Sequence, residues 1–94
     1  MSESTLYKNI DHVGKWAYLV QKKYNFKCAR CEHPKYEIHH IVRRQCKKLA
    51  TTVENGIPLC HKCHTWVHNN KPEAIEFYKY IGVNYQKLID IKWS

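Results

Sequence analysis

Residues 28–40 read CARCEHPKYEIHH and residues 55–68 read NGIPLCHKCHTWVH, and most of the cysteines and histidines of the chain lie in these two stretches. Each stretch contains one Cys-x-x-Cys pair, which is Cys28 with Cys31 in the first and Cys60 with Cys63 in the second. This spacing lets both thiolates of a pair reach one tetrahedral ion at about 2.3 Å, and four sulfur ligands favour zinc. The sequence therefore predicts a closed structural zinc site, with two disulfides or free core thiols as the alternatives.

Size and charge narrow the class of protein. A chain of 94 residues has room for one domain, residues 1–94, with a thin core, since only 44% of its residues are hydrophobic. At this size, a bound metal ion that cross-links the chain is expected to add to the stability of the core. Sixteen Lys and Arg against eight Asp and Glu leave a net charge of +8, which indicates polyanionic partners. Charge alone is not decisive, because many small proteins are basic without binding nucleic acid.

The expected location is intracellular. No segment approaches the roughly 20 apolar residues that a membrane span needs, and the N-terminal residues lack the apolar core of a secretory signal. A cytoplasmic protein, with no membrane partner, keeps its cysteines as thiols, which again favours metal ligands over disulfides. The odd cysteine, Cys46, has no partner and is interpreted as a bystander.

The predicted fold class is α+β, with a hairpin and a following helix at its centre and helices on both sides. Apolar residues at three- and four-residue steps from Val13 to Tyr24 mark one helix face. Pro72 and Gly82 suit the start and the end of a later helix. The predicted elements are a helix over about 11–25, a strand over 36–42, a basic surface loop over 43–52, a short edge strand over 53–59, a helix over 60–68 and C-terminal helices over about 72–92.

The histidines form a second pattern, which interleaves with the cysteine pairs. Its strings are Glu37-Ile38-His39-His40, then Asn55-Gly56-Ile57, and then Leu59-Cys60-x-x-Cys63-His64-x-x-x-His68. In this order they resemble the ββα-metal motif of HNH endonucleases, including phage nucleases and the nuclease colicins. The resemblance covers residues 28–68, which is under half of the chain.

Position by position, the resemblance implies that His39, His64 and His68 bind a catalytic divalent ion and that His40 is the general base. It also implies that Asn55 holds the loop and the base histidine in orientation through side-chain hydrogen bonds. The products would carry 5′-phosphate and 3′-hydroxyl ends. Neutral imidazole titrates near pH 6.5, so His40 can take a proton from the attacking water.

Strand alternation adds to these roles. His39 and His40 point to opposite faces, which agrees with one binding metal and the other facing the substrate water. Glu37 falls on the face of His39 and could steady that ligand or a basic side chain.

The metal of this site stays open. Many HNH members have aspartate where this chain has His39, so the ligand set resembles the colicin-like variant. Three imidazoles suit zinc, nickel, cobalt or manganese, whereas availability in the cell favours magnesium. The alternatives for the cluster are a second structural zinc site or a set of surface histidines. His12, His33 and His61 match no motif position and are interpreted as ordinary surface or supporting groups.

A basic cluster lies between the two predicted strands. Its members, the best candidates for contacts with DNA phosphates, are Arg43, Arg44, Lys47 and Lys48. Such contacts make binding salt-dependent and carry no sequence information. The alternative is a solvated loop. Residues that could extend the basic surface are Lys35, Lys62 and Lys71, whereas Trp66 is interpreted as core packing rather than a base-stacking platform.

The sequence therefore predicts a metal-dependent HNH endonuclease that hydrolyses DNA phosphodiester bonds, in a bacterial or phage-infected cell. One rival is a zinc-stapled DNA-binding module without catalysis. Another is an accessory nuclease subunit that acts only with a partner, such as a phage packaging complex. A single active centre cuts one strand at a time, so double-strand cleavage would need a homodimer or two encounters.

Overall fold

The computed structural model describes residues 13–43, 47 and 49–93. Within them, four α-helices surround a two-stranded antiparallel sheet, which confirms the α+β class. The elements are α1 (Val13–Lys23), β1 (Glu37–His40), a 3-10 helix (Val53–Asn55), β2 (Gly56–Leu59), α2 (His61–Asn69), α3 (Lys71–Tyr80) and α4 (Tyr85–Trp93). No helix in the described part of the chain is long and apolar enough to cross a membrane.

The hairpin is shorter than its sequence pattern predicts. Its register pairs Glu37 with Leu59 and His40 with Gly56, so each strand has four residues. The predicted strand over 53–59 was wrong in its first half, because Val53–Asn55 forms a 3-10 helix. Residues 36, 41 and 42 likewise lie outside β1. The backbone of Asn55 instead accepts a hydrogen bond from the Ile41 amide at 2.8 Å, which closes the hairpin below its last pair.

Helix α1 packs against β2 at a glycine. Trp16 and Val20 are buried on its inner face, where they form a small core with Val53. A Cβ atom at Gly56 would fall on Cγ2 of Val20 and lie 2.9 Å from Cζ2 of Trp16, so only glycine permits this approach. Beyond Lys23 the chain turns sharply, since Asn25 has a φ of 59°. The predicted end of the first helix at Asn25 is therefore close, while Asp11 and His12 lie outside the described residues.

The larger core joins β2 to the last three helices. Leu59, Val67, Tyr78 and Leu88 are among its buried residues, so β2 shares one core with α2, α3 and α4. As predicted, proline lies in the first turn of α3. Gly82, with a φ of 92°, ends the turn that follows α3.

The loop before the 3-10 helix is not wholly at the surface. Leu49 and Thr52 are fully buried, and the Thr52 carbonyl accepts a hydrogen bond from Nε1 of Trp16 at 2.8 Å. The prediction of a surface loop over 43–52 was therefore wrong at its C-terminal end. Periodicity missed Leu49 because one apolar residue among polar ones gives no pattern.

Candidate functional site

The four paired cysteines meet where the first turn after α1 approaches the start of α2. Cys60 is the N-cap of α2 and Cys63 lies in its first turn. The Sγ atoms of Cys28, Cys31, Cys60 and Cys63 all lie within 4.8 Å of one another, so the cluster could hold a metal ion. The Sγ atoms of Cys31 and Cys60 lie 3.5 Å apart, and all four cysteines are free thiols. Sulfur atoms around a tetrahedral ion stand about 3.8 Å apart, so the donors fit a metal such as zinc.

Backbone hydrogen bonds hold the first cysteine pair against the sheet. The Cys28 amide donates to the His33 carbonyl and the Ala29 amide donates to the Pro58 carbonyl, each at 2.9 Å. Glu32 takes a φ of 65°, which completes the tight turn. The pair is thus tied to β2 directly before Cys60, which brings distant parts of the sequence together.

The protonation of the thiols is strongly affected by their surroundings. Burial raises the pKa of Cys63 to about 12, although Nη1 of Arg30 donates to its sulfur at 3.6 Å. Burial also raises the pKa of Cys28, but backbone hydrogen bonds at Cys31, Cys60 and Arg30 outweigh it and lower the pKa to about 6. A metal ion binding here must displace protons, because only thiolates ligate.

Trp66 is occupied on one face by a cation. The Arg30 guanidinium lies 3.9 Å above its ring, and Phe77 meets the ring edge-on at 6.3 Å. The half-buried indole is therefore packed between protein groups, as the core-packing interpretation expected. Its covered face leaves little room for a stacked base.

Three histidines converge beside this cluster, at the corner between β1 and α2. The rings of His39 and His64 stack with centroids 3.6 Å apart, and Nε2 of His68 lies 2.7 Å from Nε2 of His64. One of these two Nε2 atoms must donate to the other. The three rings thus lie together, whereas within the described chain only the four cysteines have all ligand atoms within 4.8 Å of one another, so the metal site of the histidines stays a prediction.

Burial, together with the neighbouring rings, favours the neutral form of two of these histidines, His39 and His64. Burial, with the neighbouring His64, lowers the pKa of His39 to about 4, against the opposing effect of Glu37. Burial and His68 lower the pKa of His64 as well. Glu37 Oε2 lies 4.0 Å from His39 Nε2, so the two share a face as strand alternation predicted. Neutral imidazole is the form that ligates a metal.

His40 points to the other side of β1. Its ring stacks on Trp16, with centroids 4.7 Å apart and an interplanar angle of 17°. Its Nε2 lies 2.8 Å from the Ala50 carbonyl oxygen. Because a carbonyl only accepts, Nε2 must carry the hydrogen, which leaves Nδ1 as the basic nitrogen of the neutral ring. The ring is therefore held both in orientation and in tautomer.

Asn55 clamps the loop that carries Ala50. Its side chain is fully buried. Oδ1 accepts from the Val42 amide at 2.6 Å, and Nδ2 donates to the carbonyls of Val42 and Leu49 at 3.0 and 3.1 Å. Both ends of the loop are thereby joined. Asn55 makes no direct contact with His40 but holds the backbone next to Ala50, to which His40 bonds.

The histidines line a cavity of about 330 Å³. Arg43 reaches it, as does Lys71 at the start of α3. Lys47 is exposed and does not line it, while Arg44 and Lys48, with Cys46, lie outside the described residues. The structure therefore brings one residue of the predicted basic cluster to the histidines.

Sequence reasoning missed three contributors to the site. Trp16 was assigned only to the helix core, whereas its ring also supports His40. The Ala50 carbonyl left no signal, because backbone groups occur at every residue. The sequence analysis gave Lys71 only as a residue that could extend the basic surface. Its position at the start of α3, directly after the turn that follows α2, was the signal that could have placed it near His68.

In comparisons with known proteins, no family model, no curated protein and no solved structure matches this chain. The functional argument therefore rests on the site itself.

Proposed function

We propose that this protein is a metal-dependent DNA endonuclease of the HNH type. The observation that carries the proposal is the shared cavity. Three imidazole rings, those of His39, His64 and His68, meet on one side of the hairpin–helix corner. His40, held in one tautomer, borders the same cavity. These are the ligand and base positions that the motif resemblance implies.

We further propose that the four cysteines bind zinc as a structural ion. Four thiolates form a closed soft donor set, which leaves no position for water. The ion would join the turn after α1 to the N-terminus of α2, the helix that carries His64 and His68. Its role is thus to hold two of the proposed catalytic ligands in place.

His40 is the proposed general base. Its Nδ1 can accept a proton from water as the water attacks phosphorus, and the resulting imidazolium keeps its hydrogen bond from Nε2 to the Ala50 carbonyl. Trp16 blocks one face of the ring and so prevents it from rotating away. Asn55 acts indirectly, because it holds the loop whose Ala50 carbonyl bonds to His40.

His39, His64 and His68 are the proposed ligands of a second divalent ion. By ligand softness, three imidazoles suit zinc, nickel, cobalt or manganese. Availability in the cell instead favours magnesium. When bound, such an ion neutralises the phosphodiester and stabilises the departing 3′-oxygen. The chain's contribution is to lower the pKa of His39 and His64 through burial and the neighbouring imidazoles, and the Glu37 carboxylate lies 4.0 Å from His39 on the same face.

The net charge of +8 supports DNA as the partner. Arg43 and, in the loop, Arg44, Lys47 and Lys48 are proposed phosphate contacts. Free thiols fit a cytoplasmic setting. The main rival is a zinc-stapled DNA-binding module without catalysis, and the ordered base, ligands and clamp speak against it. An accessory subunit that needs a protein partner would share the site but show little activity alone.

The proposal is tested by cleavage of supercoiled plasmid at low salt, with magnesium, manganese, nickel and zinc compared against EDTA. We expect metal-dependent nicking that falls by about 10²- to 10⁴-fold in His40→Ala, the usual contribution of a general base. His33→Ala, which alters an exposed ring outside the site, should cut like the wild type. DNA binding and zinc content, measured in parallel, establish that each variant is folded.

Binding without cleavage in any metal would favour the rival module, and cleavage that appears only with added cell extract would favour the accessory subunit. Equal activity in His40→Ala and the wild type would show that a contaminant cuts the plasmid.

A further inference from the structure

The cavity beside the histidines is larger and more varied than one hydrated ion requires. Its volume of about 330 Å³ lies at the lower end of the roughly 300–1,000 Å³ typical of sites for organic ligands. The histidines and two cations occupy one part of its wall. The remainder is apolar, and half of its residues come from α3 and α4 while the others come from the hairpin region and α2.

The charges on the wall have one sign. Arg43 and Lys71 are the cations, and no carboxylate among the described residues lines the cavity. Neither side chain takes part in an ion pair within the described chain. Such a wall attracts an anion, because no carboxylate in the lining offsets its two cations; the Glu37 carboxylate lies 4.0 Å from His39 but is not part of the lining.

The apolar part follows one face of α3. Lys71, Ile75 and Tyr78 are spaced by four and three residues, so they line the cavity from a single stripe of the helix. Tyr78 stacks with Tyr85 of α4 at a centroid distance of 6.2 Å and an angle of 21°. A flat or cyclic group could pack against Ile75 and Tyr85, the half-buried members of this wall.

We propose that this cavity is a nucleotide subsite, in which Lys71 binds a phosphate and Ile75 with Tyr85 receives the attached nucleoside. The inference deepens the proposed nuclease function and rests on it for its biological meaning. The cationic rim and the apolar wall lie on one stripe, with Lys71 at one end of it. A nucleotide joins an anion to an uncharged ring system in the same order. The nucleotide bound here would adjoin the phosphate at the histidines, so a splayed or single-stranded substrate would fit better than continuous duplex.

The test separates the two halves of the ligand. Zinc-loaded, ¹⁵N-labelled protein with no second metal is titrated by NMR with thymidine 5′-monophosphate and, separately, with inorganic phosphate. Both should shift amide signals of α3, and the nucleotide should bind about tenfold more tightly. Lys71→Met should weaken both ligands by about tenfold, as expected for loss of one charge-assisted hydrogen bond.

Ile75→Trp should fill the apolar part. It should remove the advantage of the nucleotide and leave phosphate binding unchanged. Matched controls lie on the same helix outside the cavity: Lys79→Met removes an equal charge, and Tyr80→Trp introduces the same ring at a position that is 89% exposed. Both controls should bind like the wild type.

Several results would overturn the proposal. One is equal affinity for nucleotide and phosphate, and another is that neither ligand shifts the amide signals of α3. A third is unchanged nucleotide binding in a folded Ile75→Trp variant. Cleavage of plasmid without nucleotide binding would contradict the subsite alone. Nucleotide binding without cleavage would contradict the nuclease alone, so the two proposals fail separately.

Discussion

Replacing Asn55 by alanine removes the clamp across the loop and is the most informative single change for stability. The side chain makes three hydrogen bonds to buried backbone, two at Val42 and one at Leu49. Each is worth about 1 kcal/mol net, and a buried group left without a partner costs about 1–3 kcal/mol. We therefore expect the free energy of unfolding to fall by about 3–5 kcal/mol, a large part of the roughly 5–15 kcal/mol of a small domain.

Thermal unfolding of the zinc-loaded protein, followed by circular dichroism, measures this effect. At about 4–8 °C per kcal/mol for a domain of this size, the midpoint should fall by at least about 12 °C. Asn69→Ala, at the exposed end of α2, should change stability by less than about 0.5 kcal/mol. An Asn55→Ala variant within 1 kcal/mol of the wild type would refute the clamp. It would also refute the idea that Asn55 supports His40 through Ala50.

Three further predictions concern packing, pH and metal. Gly56→Ala should cost about 1–3 kcal/mol by overpacking, and it should slow plasmid nicking because Trp16 moves away from beneath the base; an unchanged melting midpoint would contradict it. The pKa of His39 is about 4 in the folded chain against 6.5 ordinarily, so only the unfolded state takes up this proton between those values. Without a second metal, stability should therefore fall by on the order of 2 kcal/mol from pH 6.5 towards 4, and urea titrations of His39→Gln should lack this component. If the four cysteines bind zinc as proposed, Cys28→Ser should lose that zinc and unfold, as metal analysis and circular dichroism would show; a folded variant that keeps one tight zinc would disprove the ligand role.

The local elements were largely predictable. Helix geometry over a few residues explains the apolar spacing around Trp16 and the pairing of His64 with His68. It also explains why proline and Gly82 lie near the two ends of α3. The cysteine cluster was predictable for a similar reason, because each Cys-x-x-Cys pair is a local unit and only the meeting of the two pairs needs the fold.

The hairpin shows where this reasoning ended. Val53 to Leu59 has the composition of a strand, yet the first three residues form a 3-10 helix. The Asn55 amide donates to the Thr52 carbonyl within this turn, while its side chain binds backbone on both sides of the loop. Leu49 became part of the core through the same closure.

The order along the chain of the proposed ligands, the proposed base and Asn55 follows from the sequence, because covalent spacing and strand alternation set which neighbours share a face. Their surroundings follow from packing. Trp16 lies 36 residues from the Thr52 carbonyl to which it bonds. Lys71 and Arg43 border one cavity only because the buried face of α3 joins the same core as β2. These contacts join distant segments whose approach depends on burial, on Gly56 and on backbone hydrogen bonds, and such long-range contacts leave no periodic signal in the sequence.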